Sequence, residues 1–317
     1  MYTLQKVSVQ TPSNIKAKMS TRHILNTLWQ KLRGSSDSAT PPDLRKVMIP
    51  AGAFTMGDLL DGDEDAKPVS NVFVSAFYIE SCPITWGQWK SVQTSARNHG
   101  YNFRHVDRAH GEAHPVQSVT WHDAVKWCNA RSEREDKTPV YYEDSDFTQI
   151  YRSGELAPHP NWAANGYRLP TEAEWEKAAR GGKSGLRFPW GGNISLSQAN
   201  YNGNQNGKIF DLGPNGHPLA LGKKGMPYTS PVGSYAPNGY GLYDMAGNVW
   251  QWCWDRYGSP YSGGNDPRGP AAGSFRVLRG GGWCSDSNNC RVAYRLGYNP
   301  SARTQGSGFR TVLPMDE

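Results

Sequence analysis

Two thiols six residues apart, Cys284 and Cys290, lie in a polar run near the end of this 317-residue chain, Arg279-Gly-Gly-Gly-Trp-Cys-Ser-Asp-Ser-Asn-Asn-Cys-Arg291. A cysteine pair on a loop can hold a soft ion such as Cu(I) or close into a redox disulfide. The simpler alternative is one buried thiol, Cys290, entering the strand Cys-Arg-Val-Ala-Tyr, and one incidental exposed thiol, Cys284. A second chemistry lies earlier. Asp244, the carbonyls near Gly247 and Val249, and the Gln251 side chain are oxygens supplied alternately by side chains and main chain, the hard donors Ca²⁺ prefers. Here the alternative is a turn in which Asp244 and Asn248 make only Asx hydrogen bonds.

The tail also has the composition of an adaptable binding loop, small hydrogen-bonding residues with an occasional aromatic. The positions concerned are Cys284, Ser285, Asp286, Ser287, Asn288, Asn289, Tyr294, Leu296, Gly297, Tyr298, Ser301, Ala302, Thr304, Gln305 and Ser307. Elsewhere the chemistry is sparse. There is no phosphate loop, nucleophile elbow or HExxH helix. The eight histidines are scattered, and His114, which precedes a proline, reads as structural. Asp58, Asp61, Asp63, Glu64 and Asp65 read as a solvated loop rather than a cation site. Glu172, Glu174 and Glu176 are explained by the helix dipole, which favours acids in a first turn.

What must position these groups is an aromatic-cored body. Trp250, Trp252 and Trp254 alternate with Val249, Gln251 and Cys253, a period-two pattern that predicts a strand with an indole face. Each indole buries about 150–250 Å² and needs a partner for its N–H, so the strand should nucleate packing. Further strands are predicted in Lys46–Gly57 and Asn71–Ile79. Capping boxes predict three helices, from Thr85 (with Gln88), Thr120 (with Asp123 in place of the usual Glu) and Thr171 (with Glu174). Gly181 and Gly182 end the third. Segments 136–168 and 183–235 are long and irregular, and loops of that length in a compact domain usually carry function. Residues 20–33 read as an amphipathic helix with Ile24, Leu25, Leu28 and Leu32 on one stripe, suited to self-association or to docking a partner. A Ser/Pro linker follows at 35–42.

The composition, with 12 Trp, 16 Tyr, 35 Gly and 22 Pro, suits a loop-rich α+β protein rather than a helical bundle. The net charge of +6 belongs entirely to residues 1–50, where eight Lys/Arg face only Asp37 and Asp43. The remainder is neutral, so a basic arm is present but no nucleic-acid-gripping body is expected. No run approaches the ~20 apolar residues of a membrane span. With no signal peptide or lipid-attachment cysteine visible, the expected location is cytoplasmic. Five widely spread cysteines are not a disulfide framework, and Cys82, Cys128 and Cys253 read as buried thiols.

Six blocks in order now carry a resemblance: Met48-Ile-Pro-Ala-Gly-Ala-Phe-Thr-Met-Gly57, His114-Pro-Val-Gln-Ser-Val-Thr-Trp-His-Asp-Ala124, Gly166-Tyr-Arg-Leu-Pro-Thr-Glu-Ala-Glu-Trp-Glu176, Phe188-Pro-Trp-Gly191, Pro237-Asn-Gly-Tyr-Gly-Leu-Tyr-Asp-Met-Ala-Gly-Asn-Val-Trp250, and Arg279-Gly-Gly281 with Gly308-Phe-Arg310. The chain resembles the formylglycine-generating enzyme (sulfatase-modifying factor) family from about residue 46 to 313. The resemblance implies a loop-rich α+β variant of the C-type lectin fold over 46–317, with 1–45 as a separate basic arm. It implies one structural Ca²⁺ at Asp244, Gly247, Val249 and Gln251, where Gln251 replaces the family's usual Glu. It implies a second at Asn200 and Tyr201, with Asp211 near.

The family's oxidases use a cysteine pair and Cu(I) to turn a sulfatase cysteine into formylglycine. By resemblance their second cysteine falls on Cys290 and their first on Ser285, with Cys284 displaced by one residue. Adjacent residues on an extended segment point opposite ways, so the shift speaks against the pair. The tail also resembles that of the variable proteins of diversity-generating retroelements, which display binding residues on this scaffold. The reading that follows is a non-catalytic protein binding a protein or carbohydrate partner through 284–307. The alternative is a copper-dependent oxidase using Cys284 and Cys290.

Overall fold

In the computed structural model, which describes residues 45–317 apart from 62, 68, 105, 107–108, 219–227, 260–262 and 316–317, each of the two predicted N-terminal strands divides in two. The first becomes β1 (Lys46–Ile49) and β2 (Gly52–Met56); the second becomes β3 (Ser70–Val74) and β4 (Phe77–Glu80). β1 pairs with β4 and β2 with β3, so the chain changes sheet at each break. The second break is fixed from afar: Ser75 donates its N–H and hydroxyl to the carboxylate of Asp266, at 2.7 Å each. The helix predicted at 20–33 and the arm that carries it lie outside the described residues.

Three helices follow the cap signals: α1 (Trp86–Ala96), α2 (Trp121–Arg134) and α3 (Glu172–Arg180). Thr85 with Gln88 and Thr171 with Glu174 form complete capping boxes, and α3 ends on Gly181 in the left-handed region. The box at Thr120 is half made. Its hydroxyl accepts from Asp123 N at 3.0 Å, but the shorter Asp123 carboxylate instead accepts from Arg104 N and pairs with Lys126. The short strands β5 (Tyr141–Tyr142) and β6 (His159–Pro160) pair inside the first irregular segment.

The tryptophan strand is β7 (Trp250–Arg256). It pairs in parallel with β11 (Ser307–Gly308) and antiparallel with β9 (Arg276–Arg279), which carries β10 (Arg295–Tyr298) on its far side. β8 (Gly264–Asn265) extends the β2–β3 sheet, and β12 (Val312–Pro314) closes the β1–β4 sheet. The indole face packs against Trp89, Trp121, Trp127 and Phe309. Trp252 finds its expected N–H partner in Val119 O at 2.8 Å, and Trp121 Nε1 returns the favour to Cys253 O at 2.9 Å. The opposite face is buried too, with Cys253 in a second cluster beside Trp175, Val277 and Val292. Both faces are core. The strand is central rather than amphipathic, as befits a strand flanked on both edges.

The acids of α3 are more than dipole partners. Glu172 pairs bidentately with Arg295 (both 2.7 Å), Glu174 with Arg168 (2.6 and 2.7 Å), and Glu176 with Arg180 and Arg279. All three are buried. The acidic loop is solvated only in part: Glu64 is exposed, but Asp58, Asp61 and Asp63 surround the buried guanidinium of Arg291, and Asp61 also binds Arg187. Among the described residues no helix is long and apolar enough to cross a membrane.

Candidate functional site

The tail is placed by arginines and glycines. Arg279, wholly buried, donates to the carbonyls of Ala293 and Tyr294 at 3.0 and 2.7 Å and pairs with Glu176, so it ties α3 to the entry of β10. Gly281 has φ +71°, and a Cβ there would lie 2.7 Å from Cys290 Sγ. The loop can therefore close over the thiol only with glycine at that position. β10 follows, with Tyr294 leaning on Trp250 at 6.1 Å between ring centroids.

The two thiols have opposite surroundings. Cys290 is fully buried, shares an apolar cluster with Phe188, Ile194 and Tyr201, and its thiol donates to Asp286 O at 3.5 Å. Burial pushes it well above the ordinary thiol range, so it is held as the neutral thiol. Cys284 is exposed and sits over Gly306. Between them Ser285 is buried, its hydroxyl accepting from Gly282 N at 3.0 Å and its carbonyl from Asn202 N at 2.8 Å. The position that by resemblance bears the first oxidase thiol thus holds a structural serine, and the residue set does not fit two-thiolate copper.

Of the predicted binding positions, Cys284, Asp286 and Gln305 are exposed, and Asn288, Asn289, Tyr294, Leu296, Gly297, Tyr298, Ser301, Ala302 and Thr304 are half-buried. Ser285, Ser287 and Ser307 are corrections, because they are buried and support the loop from within. Ser307 bonds the carbonyls of Val119 and Thr304.

Sequence reasoning missed the rim beside Cys284. Trp283 anchors its Nε1 on Gln117 at 3.2 Å, stacks on Tyr228 and lies against His217, whose Nδ1 meets the Trp283 carbonyl at 3.1 Å. Tyr228 stacks closely on His110, and His114 bonds Thr229 Oγ1. Burial and the neighbouring His110 lower the His114 pKa, so its ring stays neutral. No local pattern marks these residues, which come from three separate segments, 110–117, 217–229 and the tail at Trp283.

The calcium sets are each brought together, and in the first the Asp244 and Gln251 side chains are already committed to protein donors. Asn200 O accepts from Asn248 N, and Gly247 runs so close that a Cβ there would be 2.5 Å from that oxygen. Asp244 accepts from Gly233 N (2.8 Å) and Asn248 Nδ2 (3.3 Å), while Asn248 Oδ1 accepts from Ser230 N, so these side chains tie the turn to a distant segment and to each other rather than making local Asx bonds. Gln251 Oε1 accepts from Trp175 Nε1 (2.9 Å) and Arg310 Nε (2.6 Å), and its Nε2 donates to Asp244 O (2.7 Å). It has no oxygen to offer a cation, so the set of Asp244, Gly247, Val249 and Gln251 does not fit Ca²⁺. At the second set, Asn200 Nδ2 donates to Tyr228 O, and Tyr201 Oη donates to Asp211, which also accepts from Asn204 N and Gly213 N.

Residues 34–315 match the family model described as the sulfatase-modifying factor enzyme 1-like domain. A formylglycine-generating enzyme of Thermomonospora curvata is 32% identical over 298 residues, covering 86% of this chain and 94% of its own. A chaperone protein, LppX, of Paenibacillus barcinonensis is 31% identical over 283 residues, covering 88% and 91%. Among solved structures, Treponema denticola variable protein 1 superposes with a TM-score of 0.65 at 28% identity, covering 85% of this chain and 94% of that one.

Proposed function

We propose, for a chain that belongs to the sulfatase-modifying factor enzyme 1-like family, a non-catalytic role: a ligand-binding protein that engages a protein or carbohydrate partner through its C-terminal 284–307 surface. The observation that carries this reading is the separation of environments across the tail. One thiol is exposed, the other is buried and neutral, and Ser285 stands where a pair would need sulfur. Linear two-thiolate coordination of Cu(I) requires both sulfurs as ligands at one point. Support also comes from the polar face left outward by Asp286, Asn299, Arg303 and Gln305 on a loop pinned from beneath by buried arginines. The likeness to a variable protein agrees with a display role, and the differing names of the two relatives show that the scaffold alone does not set an activity. In this reading a structural calcium ion is kept only at Asn200 and Tyr201, with Asp211 the adjoining carboxylate.

The test has two arms. Incubated with Cu(I), O₂ and a Cys-x-Pro-x-Arg peptide, the protein should produce no formylglycine; turnover that disappears in Cys290→Ser overturns the reading in favour of the oxidase. Screened against glycan and peptide-display libraries, the wild type should select ligands that Asp286→Arg or Gln305→Trp no longer selects, with circular dichroism unchanged. Equal selection by wild type and both variants would place the binding face elsewhere.

A further inference from the structure

The Gln251 amide cannot be turned round. Exchanging its oxygen and nitrogen would aim the NH₂ group at two N–H donors, Trp175 Nε1 and Arg310 Nε, and would set its oxygen against the carbonyl of Asp244. Three bonds would become three repulsions. The NH₂ group is therefore committed to the inner side of the turn, where the calcium set would need an oxygen. A positive charge is already at hand. Arg310 is wholly buried and donates to Glu80 O (2.9 Å), Tyr243 O (2.7 Å) and Gln251, reaching Asp244 O at 3.5 Å. The carbonyls of Tyr243 and Asp244 thus take their hydrogen bonds from side-chain N–H groups of Arg310 and Gln251.

We infer that this chain has exchanged a calcium ion for the Gln251 amide at the turn Asp244–Gln251, where the amide oxygen is held by Trp175 and Arg310, and that the turn needs no metal. The exchange is reversible by one residue. With Glu at 251, one carboxylate oxygen keeps the Trp175 and Arg310 bonds and the other faces the Asp244 carbonyl, oxygen against oxygen. The Asp244 carboxylate and the main chain of Gly247 and Val249 belong to the same turn, so a hard dication taken up there would relieve the conflict. The inference is independent of what the 284–307 surface binds.

The experiment counts ions and reads Tm for the full chain. Wild type, Gln251→Glu and Asp244→Asn are stripped with EDTA, dialysed against CaCl₂ and analysed for bound calcium by mass spectrometry. Any ion held at Asn200 and Tyr201 contributes equally to all three, so only differences are read. Gln251→Glu should carry one more calcium per chain than wild type, and its Tm should fall in EDTA and recover in calcium. Asp244→Asn should carry as many ions as wild type. The inference is overturned if Gln251→Glu gains no ion, or if Asp244→Asn loses one. Should Gln251→Glu fail to fold in either buffer, the Asp244→Asn count decides alone: an unchanged count supports the inference and a lost ion sinks it.

Discussion

Replacing Glu176 by Gln tests what fastens the tail. Glu176 is wholly buried at the centre of α3. One oxygen accepts from Gly57 N (2.8 Å) and from Arg180 Nε and Nη2 (3.0 and 2.7 Å), and the other pairs with Arg279. Burial alone would raise its pKa, but Arg180, Arg279 and the Gly57 amide hold it below the carboxylate range, so it is charged at pH 7. A glutamine keeps the shape and one oxygen. Its NH₂ must then face either Arg279 or the Gly57 and Arg180 donors; Arg180 loses its carboxylate partner and Arg279 keeps Glu172, at 3.6 Å.

Removing one partner of a buried pair costs about 3–5 kcal/mol, because the other charge stays behind unpaired. Against a total stability of roughly 5–15 kcal/mol this is a large share. Urea unfolding at pH 7 should show the midpoint moving down with the slope m unchanged. Amide exchange should rise first at β9 and β10, since Arg279 also holds the carbonyls of Ala293 and Tyr294. A stability loss below about 1 kcal/mol, typical of an exposed pair, would refute the reasoning.

Asp255 is buried, and burial with Glu172 beside it raises its pKa to about 8. A carboxyl raised in the folded state weakens folding as pH climbs from its unfolded value near 4 to about 8. Asp255→Asn should therefore flatten that decline and be more stable than wild type above pH 8, measured as urea midpoint against pH; an unchanged profile would count against it. Thr171→Ala removes the hydroxyl that accepts from Glu174 N at 3.2 Å, and should cost about 1 kcal/mol in chemical denaturation. Gly281→Ala adds about 1–2 kcal/mol of left-handed strain to the overlap with Cys290 Sγ. It should lower Tm and expose Cys290 to a thiol reagent that leaves the wild-type residue untouched.

The parts of this fold legible in the sequence were those with local signals. Thr85 and Thr171 announced their helices because a capping box is complete within four residues. Trp250, Trp252 and Trp254 announced a strand because alternation needs no partner to be seen. The same strand's second buried face was not legible, since nothing local says that β9 and β11 flank it. Glu172 and Glu176 looked like dipole partners because Arg295 and Arg279 lie about a hundred positions downstream. The site divided in the same way. The displaced cysteine was readable by count from Trp283, whereas the ring of His110, Tyr228 and His217 around that tryptophan exists only after distant loops meet.

That division bears on which tail positions are free to change. Ser285, Ser287 and Ser307 share the small polar character of their neighbours, yet each is buried; Ser285 Oγ accepts from Gly282 N, and Ser307 Oγ shares the Val119 carbonyl with Trp252 Nε1. A larger apolar residue at 285 would take the acceptor from the Gly282 N–H at about 1–3 kcal/mol. Arg279, Gly281 and Arg291 are fixed by the acids and the sulfur they meet. Cys284, Asp286, Asn299, Arg303 and Gln305 carry no comparable burial, and substitutions at such exposed positions usually shift stability by less than about 0.5 kcal/mol. A platform built this way changes what it presents without changing how it folds, so long as the changes stay on the outward positions and off the serines between them.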